Sequence, residues 1–236
     1  MTPTSVRTIP EQEDPLALLP ATVPVRYKRN AVIYSEWEQA GHLYLIVRGR
    51  VKVTRGAGGR SVVIDVYGPN EFFGECGLLD AEQLPEQAVA LEKTEATRWT
   101  KSEIEELVLC RPQLGMALMQ TLARRTIDFG TRLQDCIGEK TAGRVLRSLI
   151  RLADRSSAAA DTGSVHVAPL THQLLAEYTG TSRERVTQHM NEFRRQGLLN
   201  YSRNGIILTR RAFQVAERGR HGRARVKTVA LDGSAA

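Results

Sequence analysis

The chain has 236 residues, 42% of them apolar and 25% charged, a balance that suits a folded protein of two domains and excludes a disordered or fibrous one. No run approaches the roughly 18 apolar residues of a membrane span. The N-terminal stretch "MTPTSVRTIPEQEDPL" also lacks the apolar core of a signal peptide, so the chain reads as cytoplasmic. Charge is unevenly placed within the net +7: from Gly138 onward there are 17 Lys and Arg against 8 Asp and Glu, and before it 16 against 18. A basic half of this density points to a polyanionic partner, because phosphate neutralisation with counterion release dominates non-specific nucleic-acid affinity.

Residues 23 to 100 alternate short β-rich runs with turn residues, as in "AVIYSEWEQAGHLYLIVRGRVKVTR", "RSVVIDVYGPNEFFGECGLL" and "AVALEKTEATRWT". Short strands punctuated by Gly, Pro and Asn predict an antiparallel barrel or jelly roll. From Lys101 the pattern turns helical. "SEIEELVLCRP" predicts a short helix capped by Ser102, with Glu105 three residues on completing a capping box. Pro112 then opens a helix of about 25 residues, in which Met119, Leu122, Thr126, Phe129, Leu133 and Cys136 recur at spacings of three and four. That seam predicts a parallel two-fold dimer; its alternative is burial against the chain's own barrel.

After Gly138, "EKTAGRVLRSLIRLADRS" predicts another amphipathic helix and "SAAADTGS" a loop. In "LTHQLLAEYTGTSRERVTQHMNEFRRQGLL", Thr171 can cap one helix, Gly180 can turn the chain and Ser182 can cap the next, with small Ala176 letting the two helices cross closely. On a helical wheel Val186, Met190 and Phe193 fall within about 40° of one another as a buried stripe. Glu184, Gln188, Asn191 and Arg195 lie opposite, flanked by Arg183 and Thr187. "LNYSRNGIILT" predicts two strands around an Asn-Gly turn.

This order of elements, and the motifs "GHLYLIVRGRVKV", "GPNEFFGECGLL", "LARR" and "LTHQLLAEYTGTSRERVTQHMNEFRRQGLL", resembles the CRP/FNR superfamily of bacterial transcription regulators over residues 20 to 212. The resemblance implies an α+β fold: an N-terminal antiparallel β-roll of the cyclic-nucleotide-binding kind, a long dimerisation helix at about 112–137 and a C-terminal winged helix-turn-helix. The domains would be 1–137 and 138–236, with the helix-turn-helix at about 170–197. It further implies a homodimer on double-stranded palindromic DNA, RNA polymerase as a partner, and no membrane. Arg183 and Glu184 would read base edges, since Arg fits guanine O6/N7 and Glu accepts from cytosine N4, and Gln188 would read a neighbouring base, favouring adenine. Thr171, Ser182, Arg185 and Thr187 would contact phosphates. The basic stretch Arg218 to Lys227 would be an arm adding phosphate contacts, or a solvated tail.

In cyclic-nucleotide members of the family a Gly-Glu pair and a later Arg-Ser pair hold the ribose and phosphate. Gly74 and Glu75 match the first pair, but Glu86 and Gln87 stand where Arg-Ser is expected, and a carboxylate there repels a phosphate. Phe129 and Gly130 stand where hydroxyls would meet the base. Cyclic AMP is therefore not expected, and Glu75 reads either as an effector ligand or as a buried structural carboxylate. No cysteine precedes Cys76, which argues against the iron-sulfur cluster of the fumarate-nitrate type. Cys76, Cys110 and Cys136 form no CxxC pair, and His42, His166, His172, His189 and His221 form no ligand cluster, so neither haem nor a metal site is expected. Enzyme chemistry is the rival class, but no nucleophile with its base, paired carboxylates or metal-ligand spacing supports it. A scaffold that has lost DNA binding is the other rival, against which Ser182, Arg183 and Glu184 argue.

Overall fold

The computed structural model describes residues 19–20, 22–35, 41–57, 60–79, 86–138, 140–154, 164–202 and 204–218. Contacts divide the chain into two compact units, one of residues 1–51 and 69–131, the other of 52–68 and 132–236.

The first unit is built on short antiparallel strands. β1 (Val25–Tyr27), β8 (Thr94–Thr100), β3 (His42–Arg48) and β6 (Phe72–Phe73) form a sheet in the order β1-β8-β3-β6, with Leu43 opposite Trp99 and Tyr44 opposite both Arg98 and Phe73. β2 (Val32–Tyr34) pairs antiparallel with β7 (Glu86–Ala90). Inward residues of β3, β6 and β8 meet α1 (Lys101–Cys110) and the start of α2 (Pro112–Gly138) in a core of Leu43, Phe72, Trp99, Ile104, Leu114 and Leu118. The cap of α1 corrects one expectation. Thr100, not Ser102, is the N-cap, and its partner in the capping box is Glu103 rather than Glu105. Strand β8 runs to Thr100, so the chain turns there and the helix begins two residues earlier than expected.

The second unit contains the paired strands β4 (Val51–Ala57) and β5 (Arg60–Tyr67), apart from Val51, and the end of α2. It continues with α3 (Thr141–Asp154), β9 (Ser164–Val167), α4 (His172–Thr179), α5 (Arg183–Arg195), β10 (Leu199–Ser202) and β11 (Gly205–Thr209), and residues 210–218 are helical. β9 joins the expected hairpin to make a three-stranded wing in the order β10-β11-β9. Gly205 closes the hairpin at φ 139, where a Cβ would lie 2.5 Å from the Val167 carbonyl, so only glycine fits. Val145, Leu146 and Leu149 of α3, Leu174 and Leu175 of α4, and Val186, Met190 and Phe193 of α5 are buried, the apolar stripe that the wheel predicts.

Candidate nucleic-acid interface

Local chemistry sets the two helices of the turn. Thr171 accepts from the Leu174 amide at 3.1 Å as the N-cap of α4. Gly180 adopts φ 65 and ψ 44, ending α4, and Ser182 accepts from the Arg185 amide to begin α5. Ala176 is buried between them, as the close crossing requires. With Val186, Met190 and Phe193 turned inward, Arg183, Glu184, Arg185 and Gln188 are exposed on one end of α5. The Glu184 carboxyl is held below its ordinary range by its own amide N–H first, then by the Ser182 hydroxyl and Arg183. It is thus an ionised acceptor beside a guanidinium donor, able to take an N–H while Arg183 supplies a fork of them.

Two residues of α5 make bonds within the protein. Thr187 donates its hydroxyl proton to the Arg183 carbonyl and its oxygen lies 2.9 Å from His172 Nδ1, so its one proton is used inside the protein. Asn191, expected on the outward face, is half-buried and accepts from the Tyr201 hydroxyl at 2.9 Å. Tyr201 of the wing thus meets α5 at Asn191 and leaves that side chain partly exposed. Thr171 and Ser182 spend their hydroxyls as caps but remain exposed.

Contacts within the second unit also fix α4 from behind. Lys52 pairs with Glu177 at 3.2 Å. Arg132 stacks 4.2 Å from the centre of the Tyr178 ring and donates to the carbonyls of Val63, Ile64 and Tyr178. Asp135 holds Arg147 and Arg151, tying the end of α2 to α3.

The effector residues lie in the first unit. Gly74 sits at φ 79, and a Cβ there would come within 2.9 Å of the His42 carbonyl and 3.0 Å of the Tyr44 ring. Glu75 follows in a short 3-10 turn, and its carboxylate accepts from Arg125 of α2 at 2.7 Å. Arg125 also donates to the Phe72 carbonyl and stacks 4.2 Å from the centre of the Phe72 ring. Glu75 is thus paired with a guanidinium, where the structural reading expects backbone amides. Arg125 closes the "LARR" motif, but its pairing with a residue 50 positions away has no local signal in the sequence. Glu86 is buried at the start of β7, Gln87 is half-buried beside it, and Phe129 is partly exposed one turn of α2 beyond Arg125.

On α2, Leu122 is partly buried and packs against the core of its own unit. Met119, Phe129, Leu133 and Cys136 are exposed, joined by Met116, Ile127 and Ile137. No described helix is long and apolar enough to cross a membrane, and the described residues hold no group of three or more His, Cys, Asp or Glu placed to bind a metal.

Comparison with known proteins matches this arrangement domain by domain. Residues 24–109 match the cyclic nucleotide-binding domain family and residues 143–213 the Crp-like helix-turn-helix domain. The chain is 28% identical over 195 residues to a CRP-like cAMP-activated global transcriptional regulator of Mycobacterium tuberculosis, covering 82% of this chain and 87% of that protein. It is likewise 28% identical over 174 residues to the cyclic AMP receptor protein of Thermus thermophilus, covering 73% and 77%. The fold is similar to that of FixK2 from Bradyrhizobium japonicum, with a TM-score of 0.71 and 22% identity over 92% of this chain and all of that one.

Proposed function

The chain belongs to the CRP/FNR superfamily of bacterial transcription regulators, as a DNA-binding regulator and not an enzyme, and we propose that it acts in the cytoplasm as a homodimer on a palindromic site without needing cyclic AMP. The observation that carries this reading is the division of α5. Val186, Met190 and Phe193 are buried while Arg183, Glu184 and Gln188 are exposed at the helix start, the end that enters a major groove. In this reading Arg183, Glu184 and Gln188 read bases. Arg185 meets phosphate, and the exposed Thr171 and Ser182 flank the backbone at the two helix N-termini.

The dimer is supported by the exposed apolar side chains of α2, Met116, Met119, Ile127, Leu133 and Ile137, which water disfavours and a second copy of the helix would cover. Two copies would give a palindromic readout, and RNA polymerase is the partner through which a bound regulator of this family would act. Independence from cyclic AMP is supported by the surroundings of Gly74 and Glu75 and by Glu86. The Glu75 carboxylate, which would meet the ribose, is committed to Arg125, and Tyr44 packs against Gly74 in a stack with Tyr34 and Phe73. Glu86 would bring negative charge where the phosphate needs a cation. These residues do not fit the nucleotide, although two relatives carry cyclic AMP in their names.

In-vitro selection of DNA from a random pool by the purified apo chain tests the whole reading. A two-fold motif recovered without added nucleotide is the expected result. Recovery of no motif, or of one only when cyclic AMP is present, would overturn it.

A further inference from the structure

Tyr201 stands on wing strand β10 and joins both helices of the helix-turn-helix. Its hydroxyl donates to Asn191 Oδ1 at 2.9 Å. Its ring meets the His172 imidazole edge-on at a centroid distance of 5.8 Å, and the Arg194 guanidinium lies 5.3 Å from the ring centre. His172 Nδ1 lies 2.9 Å from Thr187 Oγ1, whose own proton goes to the Arg183 carbonyl, so Nδ1 is the donor of that pair. One wing residue therefore braces α4 at its first residue and α5 over its last two turns.

The consequence for recognition lies in the Asn191 amide. An amide side chain offers one acceptor oxygen and two N–H donors, and an unconstrained Asn on a reading helix pairs with adenine through both, accepting from N6 and donating to N7. Here the phenol proton takes one lone pair of the oxygen and turns it toward the wing, while among the described residues the Asn191 nitrogen has no protein partner. What α5 presents outward at this position is the N–H pair, complementary to one base acceptor such as a purine N7, guanine O6 or thymine O4.

We propose that Tyr201 is a specificity-determining positioning residue: by turning the Asn191 oxygen toward the wing it leaves the amide N–H pair as the outward group at position 191 and disfavours the two-bond pairing with adenine, which needs the oxygen and the N–H pair together. The proposal rests on the reading of α5 as the DNA-reading helix, and extends it to a residue outside that helix.

The test uses the full chain and three variants: Tyr201→Phe, which removes a single oxygen, Asn191→Ala, and the two combined. Each is put through selection on a randomised half-site and titrated on the wild-type site at two salt concentrations, with thermal unfolding as a check on folding. Tyr201→Phe is expected to gain preference for adenine at one position per half-site and to lose about 3- to 10-fold on the wild-type site, the range of one hydrogen bond. The double variant is expected to match Asn191→Ala alone. Asn191→Ala is expected to relax that one position, and the adenine preference of Tyr201→Phe is expected to vanish in the double variant. If Asn191→Ala instead weakens all sites with the motif unchanged, position 191 meets a phosphate and the proposal is overturned. The proposal is overturned if Tyr201→Phe keeps the wild-type motif, or if it weakens binding equally with and without Asn191, the behaviour of a plain buttress. A wild-type chain that selects no motif would sink the reading of α5, and this proposal with it.

Discussion

Arg125 and Glu75, 50 residues apart in sequence, form a 2.7 Å ion pair that ties helix α2 to the turn after β6. The arginine side chain is 10% exposed and the carboxylate 25%, so water can do little to replace either partner. Removing one member of such a pair leaves the other charge desolvated, and here the Phe72 carbonyl loses its donor as well. Arg125→Ala is expected to cost about 3 kcal/mol, and Glu75→Gln, which keeps an acceptor for Arg125, about 1 kcal/mol. Urea denaturation measures both; equal midpoints for the wild type and Arg125→Ala would show that the pair contributes nothing net.

The same pair bears on ligand choice. A nucleotide reaching Glu75 would share the carboxylate with Arg125, and its phosphate would find no cation at Glu86. Calorimetry with cyclic AMP or cyclic GMP at micromolar concentration is expected to show no binding. A clear isotherm would mean that Glu75 serves a ligand despite its pairing with Arg125 and that the charge of Glu86 does not exclude the phosphate.

Assembly is tested on α2. Leu133 is 63% and Ile127 69% exposed on the helix, so neither is needed by the core of its own chain. Leu133→Glu and Ile127→Glu are each expected to yield a folded monomer, because two carboxylates would face each other across an apolar seam. DNA affinity should fall with the dimer, since one winged helix meets half a palindrome. Light scattering that still reports dimers for both variants would remove α2 from the interface.

Burial first, and the nearby Arg183 second, hold the His172 imidazolium below its ordinary value of 6.5. Between that lowered value and 6.5 the unfolded chain binds a proton that the folded chain does not. Stability from this source is therefore complete above about 6.5 and is lost as pH falls through the folded value. His42 is shifted the same way, again by burial first and then by Arg98, so His172 accounts for part of the effect. His172→Asn, which keeps a donor near Thr187, should lose less stability than the wild type between pH 7.5 and 5.5. An equal loss in both chains would show that His172 is not the titrating group.

What was legible in the sequence was local. Thr171, Gly180 and Ser182 act within three residues of themselves, so their cap and turn roles follow from residue type, and the stripe of Val186, Met190 and Phe193 follows from the helical period. The cap of α1 was ambiguous because Thr100 with Glu103 and Ser102 with Glu105 both satisfy the capping spacing; the end of β8 decides between them. The contacts made by Arg125, Leu122 and Asn191 are not legible in the sequence for one shared reason. Their partners, Glu75, the core around Trp99, and Tyr201, are brought to them by tertiary folding that no periodicity encodes.

The last expectation concerns the exposed start of α5. Arg183→Ala should cost about 1 to 3 kcal/mol and relax preference at one G·C pair per half-site, since a bidentate contact to guanine is lost. Gln188→Arg should instead move a neighbouring preference from adenine toward guanine, because the guanidinium fork fits O6 and N7 where the amide fits N6 and N7. Arg185→Ala should weaken all sites about equally and flatten the salt dependence by about one counterion, as loss of a phosphate contact does. Ser182 caps α5 through the Arg185 backbone amide, so removing the Arg185 side chain leaves the helix start intact and isolates the charge. Selection on a randomised half-site at two salt concentrations separates the three variants. If Arg183→Ala leaves the selected motif unchanged, the first turn of α5 does not face the bases, and Gln188, just over one turn further on, becomes the residue on which base readout must rest.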